Sequence, residues 1–204
     1  MEEIFSVFDE AYTKIGVATR DETHRIGLWH ETFHCWFYYR DGSDTYLYFQ
    51  QRSDTKKDYA GLFDITAAGH LLSTESLCDG VREVEEELGI RVDYSDLKYL
   101  GYLPISITLP NIIDNEFTNI FTLERKFSPQ DFTLQKEEVQ GIYEVSVSEL
   151  EKVMANEYYE VQVNGFTIVD NSHQPSTKMF NRANLCALCP EYYTFLIEHF
   201  RELR

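Results

Sequence analysis

Leu77, Val81, Val84 and Leu88 recur at intervals of four, three and four residues. That spacing predicts a helix over residues 76–88 whose apolar stripe faces a core, with Gly89 as the C-cap signal that ends it. Glu83, Glu86 and Glu87 stand at i, i+3 and i+4 on a different face, turned well over ~90° from the stripe at about 100° per residue. Three carboxylates crowded together repel by a few tenths of a kcal/mol per pair. Two readings remain open for such a face. It is either a solvated acidic surface or a place where a divalent cation reverses the repulsion, since Mg²⁺ and Mn²⁺ prefer carboxylate oxygens. The strand and glycine-containing loop that precede the helix favour the second.

The segments around this helix are β-prone. The aromatic run Trp29–Tyr39 reads as a strand, Asp41-Gly42-Ser43-Asp44 as a turn, and Tyr46–Gln51 as the returning hairpin partner. Phe63-Asp64-Ile65-Thr66 reads as a further strand running into Ala67-Ala68-Gly69. Later strands are expected at Leu97–Leu103, Glu116–Glu124, Ile142–Val145 and Glu160–Val169, the last turning at Asn164-Gly165. Helices are expected at Val147–Ala155 and from Pro190 onward. Strands with a few inserted helices imply an α+β fold, a mixed sheet covered by helices, in one domain spanning residues 1–204.

Composition narrows the function classes. The chain carries 35 Asp+Glu against 18 Lys+Arg, a formal net charge of −17, which repels polyanions. Nucleic acid and anionic membranes are therefore not expected as partners. No apolar run approaches the ~20 residues of a membrane span. The acidic start MEEIFSVFDE lacks the basic-then-apolar pattern of a signal peptide. With 43% hydrophobic and 15% aromatic residues the chain can build a core. Cys186 and Cys189 form a lone CxxC beside Cys35 and Cys78. A single pair reads as small packed residues before Pro190, and free thiols fit the cytoplasm.

From Gly69 to Ile90 the sequence is GHLLSTESLCDGVREVEEELGI. It resembles the Nudix box, G-x5-E-x7-R-E-U-x-E-E-x-G-U with U aliphatic. Gly69, Glu75, Arg82, Glu83, Val84, Glu86, Glu87, Gly89 and Ile90 match in type. One departure is that six residues rather than seven separate Glu75 from Arg82. HETFHCWFYY at 30–39, QQRSDTKKDYAGLFDITAAGH at 50–70 and DNEF at 114–117 resemble the branch holding type I isopentenyl-diphosphate isomerases and their hydrolase-like relatives. The resemblance covers about residues 5–160 and leaves 161–204 as a C-terminal helical extension.

The resemblance implies a Nudix fold and cleavage of a small organic or nucleoside diphosphate with Mg²⁺ or Mn²⁺. Glu83, Glu86, Glu87 and the Gly69 carbonyl would hold that metal, which offsets phosphate charge and acidifies water. Arg82 would orient the carboxylates, and Glu138, in a loop after the box, would be the general base. Arg52, Lys56 and Lys57 would grip the diphosphate, or else form a charged hairpin loop. His24, His30, His70, Asp114 and Glu116 are similar to the second metal site of the isomerases. In this chain His24 is offset by one residue and Asp114 stands for Glu. Imidazoles suit Zn²⁺ or Mn²⁺, although polar pocket lining without metal is the other reading. His34 shares a strand face with His30 and would line the same pocket.

Three functions compete: a hydrolase, an isopentenyl-diphosphate isomerase and a silent nucleotide-binding module. The complete glutamate set speaks against silence. The isomerases carry a Cys before their Gly-His pair and a basic residue in the box helix. This chain has Ala68 and Glu83 there, which favours water activation over carbon protonation. The extension could enlarge the pocket or build an interface, a homodimer among the arrangements it allows.

Overall fold

The computed structural model describes residues 2–110, 112–186 and 189–203. Its centre is β3 (Trp29–Asp41), the aromatic run of the sequence. Trp36 and Tyr38 enter a core on one face, while Phe33, Cys35, Phe37 and Tyr39 enter a second core on the other. A strand buried on both sides needs no polar alternation, which is why this stretch reads as nearly continuous apolar sequence. The hairpin to β4 (Asp44–Arg52) closes with Asp41 opposite Asp44, as expected.

The sheet runs β11-β10-β9-β4-β3-β1-β2, with β5 and β6 attached to β4 and β3, and β8 pairing both β3 and β7. These strands are β1 (Ile4–Phe8), β2 (Lys14–Thr19), β5 (Phe63–Asp64), β6 (Ala67–His70), β7 (Lys98–Leu109), β8 (Ile112–Glu124), β9 (Val139–Ser146), β10 (Glu160–Val169) and β11 (Ser172–Asn181). β3 and β8 are parallel and the other pairs antiparallel, so the sheet is mixed. α2 (Arg82–Leu88) covers one face through Val84 and Leu88. α3 (Val147–Ala155) and α4 (Pro190–Glu202) cover the other through Leu150, Val153, Tyr192, Leu196 and Phe200. This is the α+β architecture the sequence implied, a mixed sheet between helices. Among the described residues no helix is long and apolar enough to cross a membrane.

Several local expectations are corrected. Residues 76–88 are not one α-helix: Leu77–Val81 form a 3₁₀ turn, and the α-helix starts at Arg82. Phe63 to Gly69 is not one strand, because β5 pairs with β4 and β6 with β3. Thr66 bridges the crossing, accepting from Phe37 N at 3.0 Å and donating to Tyr48 O.

Asn164-Gly165 is not a turn but the middle of β10, paired with β9 on one side and β11 on the other. A Cβ on Gly165 would lie 2.1 Å from the Ile142 carbonyl oxygen, so this glycine permits close backbone approach. The chain reverses at Asp170-Asn171 instead, both at positive φ, 48° and 60°, which Asp and Asn tolerate in hairpins.

The segment after residue 160 therefore opens with two strands and only then becomes helical. β11 was not expected. It sits at the sheet edge, where Pro175 is tolerated. The elements before Trp29 were not expected either, including α1 (Arg20–Ile26), capped by Thr19 through Glu22 N.

Candidate active site

Arg82 opens α2 and binds four groups. Its Nε and Nη2 donate to Glu75 at 2.5 and 3.0 Å, and Nη2 also donates to His70 O at 3.0 Å. Nη1 donates to Glu83 at 2.6 Å and Glu86 at 3.2 Å. Glu75 additionally accepts from Leu72 N at 2.8 Å. Burial alone would raise the Glu75 carboxyl, but Arg82 and that N–H hold it below the usual range. The box is one residue short between these two, yet the contact forms. The intervening 3₁₀ turn rises ~2.0 Å per residue against ~1.5 Å in an α-helix, so fewer residues span the gap.

The three box glutamates are not equivalent. Glu86 stands at the rim, its side chain 56% exposed. Glu83 and Glu87 are turned inward beside β6. Glu87 is buried and accepts from Ala68 N at 3.2 Å. Glu83 lies so close to Gly69 that a Cβ there would fall 2.1 Å from its carboxylate. Burial, partly opposed by Arg82, pushes the Glu83 carboxyl up to about 7. Burial and then Glu83 push Glu87 well above the ordinary range. Two adjacent inward carboxylates that resist ionisation, Glu83 beside Gly69 and Glu87 on the Ala68 N–H, are a donor set of hard oxygens that fits a divalent cation.

Arg52 ends β4 and is held at 3.0 Å by Asp64, with its Nη2 donating to Asp58 O at 3.2 Å. Its Nε is buried without a partner. Burial would weaken its hold on the proton, but Asp64 and, further down, Glu87 keep it charged. Lys56 pairs with Glu138, whose carbonyl accepts from Ser53 N at 2.8 Å. Glu138 also acts electrostatically on Glu87. Lys57 is exposed on the same loop.

The imidazoles form a second cluster. Ligand atoms of His24, His30, His70 and Asp114 all lie within 4.8 Å of one another. Phe5 stacks on His30 and His70 at 5.3 and 4.8 Å between centroids. His24 Nδ1 meets Arg20 O and His30 Nδ1 meets Leu28 O, each at 3.0 Å. A carbonyl only accepts, so each Nδ1 carries the proton and each Nε2 offers a lone pair. His30 Nε2, His70 Nε2 and Asp114 Oδ1 are buried with no hydrogen-bond partner. Burial also drives His30 down to about 4 and His70 well below the usual range. Imidazoles gathered around one carboxylate fit a Zn²⁺- or Mn²⁺-like cation.

Glu116 adjoins the cluster, 3.9 Å from both His70 Nε2 and His34 Nε2. It accepts from Thr32 at 3.2 Å and Thr118 at 3.1 Å, and burial followed by Asp114 pushes its carboxyl up. His34 is buried against Tyr192, and burial lowers it to about 4.

The sequence reading missed Asp64, which holds Arg52, Thr32 and Thr118, which hold Glu116, and Phe5. It also missed Tyr192, 158 residues from His34. Thr118 stands two residues from Glu116 on the same strand face, the one local spacing among them, while the others meet their partners only through sheet pairing or helix packing. Cys186 is likewise brought against Asp64 and Arg52, with burial keeping its thiol protonated. Ala187 and Leu188 of the CxxC lie outside the described residues.

Comparison with known proteins bears on the family and the fold. No family model matches the chain. An uncharacterized Nudix hydrolase of Clostridium acetobutylicum is 38% identical over 167 residues, 82% of this chain and 81% of that protein. Nudix hydrolase 3 of Arabidopsis thaliana is 34% identical over 173 residues, which is 80% of this chain but 22% of the plant protein. In fold the chain is similar to a solved protein of Deinococcus radiodurans, with TM-score 0.54 and 19% identity over 76% of this chain and 90% of that one. It is also similar to a MutT protein of Methanosarcina mazei, with TM-score 0.52 and 18% identity over 86% and 94%. The chain belongs to the Nudix hydrolase family. A weaker likeness joins it to isopentenyl-diphosphate Delta-isomerase 1 of Aromatoleum aromaticum, 30% identical over 122 residues, 59% of this chain and 66% of the isomerase.

Proposed function

We propose that this chain is a Mg²⁺- or Mn²⁺-dependent diphosphohydrolase acting on a small organic or nucleoside diphosphate. One observation carries the reading: Glu83 and Glu87 turn inward side by side beside β6, Glu83 against Gly69 and Glu87 on the Ala68 N–H, with Glu86 at the rim. Glu83, Glu86, Glu87 and the Gly69 carbonyl would hold the cation. When bound, it supplies neutralisation of phosphate oxygens and an acidified water.

The protein's own groups do the remaining work. Arg82 fixes Glu83 and Glu86 in place through its clamp on Glu75. Arg52, oriented by Asp64, grips the phosphate that does not react, with Lys56 and Lys57 beside it. Lys56 is paired with Glu138. A phosphate that draws Lys56 away frees Glu138 to take the proton of the attacking water. His24, His30, His70, Asp114 and Glu116 would hold a second cation, with His34 facing the substrate. The net charge of −17 supports a small-molecule substrate over polyanions, and the four free thiols support a cytoplasmic setting.

The isomerase is the second reading, favoured by the imidazole cluster. Against it stands Ala68, whose methyl group cannot titrate where the isomerases place a Cys. Cys35 enters the opposite core and Cys78 is exposed.

The test is a panel of diphosphates, isopentenyl diphosphate included, incubated with Mg²⁺ or Mn²⁺ while phosphate release is measured. At least one member is hydrolysed, chelator stops it, and Glu87→Gln lowers the rate by ~10²-fold or more. Unchanged turnover in a folded Glu87→Gln protein sinks the assignment of the site. Formation of dimethylallyl diphosphate at an enzymatic rate moves the protein to the second reading.

A further inference from the structure

The carboxy-terminal segment reaches the histidine cluster through the phenol of Tyr192. Tyr192, in the first turn of α4, is fully buried. Its Oη lies 2.8 Å from Trp36 Nε1 and 3.1 Å from His34 Nδ1. An indole N–H can only donate, so Trp36 occupies a lone pair of the phenol oxygen. The phenol hydrogen is then left to find an acceptor, and His34 Nδ1 is the one beside it. The opposite arrangement would aim two N–H donors at one oxygen and leave a buried O–H without a partner, which folded proteins avoid.

The geometry points to Tyr192 as a positioning residue: its phenol, locked by Trp36, fixes His34 as the tautomer protonated on Nε2. His34 is thereby a hydrogen-bond donor and not a metal ligand. Its Nε2 faces Glu116 Oε2 across 3.9 Å, too far for a direct bond and suited to donation toward a phosphate oxygen entering from the metal side.

The contrast with the neighbouring histidines is chemical. His24 and His30 give their Nδ1 protons to backbone carbonyls and keep an Nε2 lone pair for a cation. His34 gives up that lone pair because a phenol, not a carbonyl, stands behind it. Five histidine and carboxylate side chains can thus face one region while His34 alone serves the substrate. The tautomer follows from protein contacts. Only its use toward phosphate rests on the diphosphate reading above.

The experiment is long-range ¹H–¹⁵N correlation of the imidazoles in the full chain labelled at histidine, with His34→Gln assigning the signal. In the wild type His34 shows a bare Nδ1 and a protonated Nε2. Zn²⁺ shifts the Nε2 of His24, His30 and His70 and leaves His34 protonated there. Tyr192→Phe removes the phenol and gives His34 both tautomers. Trp36→Phe frees the phenol to accept, so a protonated Nδ1 appears. With a diphosphate that the panel shows to be turned over, Tyr192→Phe lowers kcat about tenfold and moves KM less than about twofold. A wild-type His34 protonated on Nδ1, or one whose Nε2 binds Zn²⁺, overturns the inference without touching the hydrolase reading. If no diphosphate is hydrolysed, that reading fails while the tautomer is still decided by the spectrum.

Discussion

Glu83 illustrates how burial of a single carboxyl side chain can work against the stability of the free protein. Its carboxyl is raised to about 7 when folded, mainly by burial, against about 4.3 unfolded. A carboxyl raised by folding contributes stability that is fully present below its unfolded value and is lost as pH rises through the folded one. Between about pH 4.5 and 7 the metal-free protein therefore loses stability through this group. Glu83→Gln should raise the Tm of metal-free protein at pH 8, through a stabilisation on the order of 1–3 kcal/mol. It should also shrink the stabilisation that Mg²⁺ or Mn²⁺ gives the wild type, both readable by thermal melts with and without metal. A lower metal-free Tm would mean that Glu83 ionises comfortably in place. Arg52 is a different case, since a cation gripping the non-reacting phosphate binds ground state and transition state alike. Arg52→Ala is expected to raise KM more than it lowers kcat. A fall in kcat alone would place Arg52 on the phosphorus under attack.

At the scale of elements, the site depends on β6 and α2 touching. β6 is a short strand whose Gly69 carries no side chain, and this lets the Glu83 carboxylate lie on its backbone. Gly69→Ala puts a methyl group 2.1 Å from that carboxylate, forcing α2 or the Arg82 clamp to shift. Hydrolysis should fall by ~10²-fold or more while the fold persists, since a displacement of about 1 Å in a catalytic group can have that effect. Circular dichroism and turnover on the same sample check it, and full activity would mean the close approach is not needed. The same elements show where local pattern misleads. A single apolar stripe predicted one helix over 76–88, but apolar periodicity does not distinguish a 3₁₀ turn from an α-helical one. Asn164-Gly165 has the composition of a turn, yet the glycine serves the close approach of β9. In both places long-range packing chose between locally acceptable conformations.

At the scale of the whole molecule, the family resemblance ends near residue 160 but the structure does not. β10 pairs with β9, and Phe180, Tyr192, Leu196 and Phe200 complete the core against Trp36 and Tyr38. Removing residues 161–204 exposes that face, so the shortened chain should be insoluble or lack a cooperative melt, as soluble expression and calorimetry would reveal. A stable, active fragment would make the segment an accessory. What the sequence by itself determined is the chemistry held in one continuous stretch: the box helix, its three glutamates, Arg82 and the glycine before them. The central β3–β4 hairpin and α3 were legible for the same reason, since near neighbours dictate them. Histidines from α1, β3 and β6 and carboxylates from β8 could be proposed only through the resemblance. The sheet, pairing His30 with Glu116 and Thr32 with His70, is what makes them one cluster. Tyr192 carried no signal at all. Its contact with His34 exists only because α4 packs across the sheet, and a linear pattern cannot encode which distant side chain a helix brings to rest on a given strand.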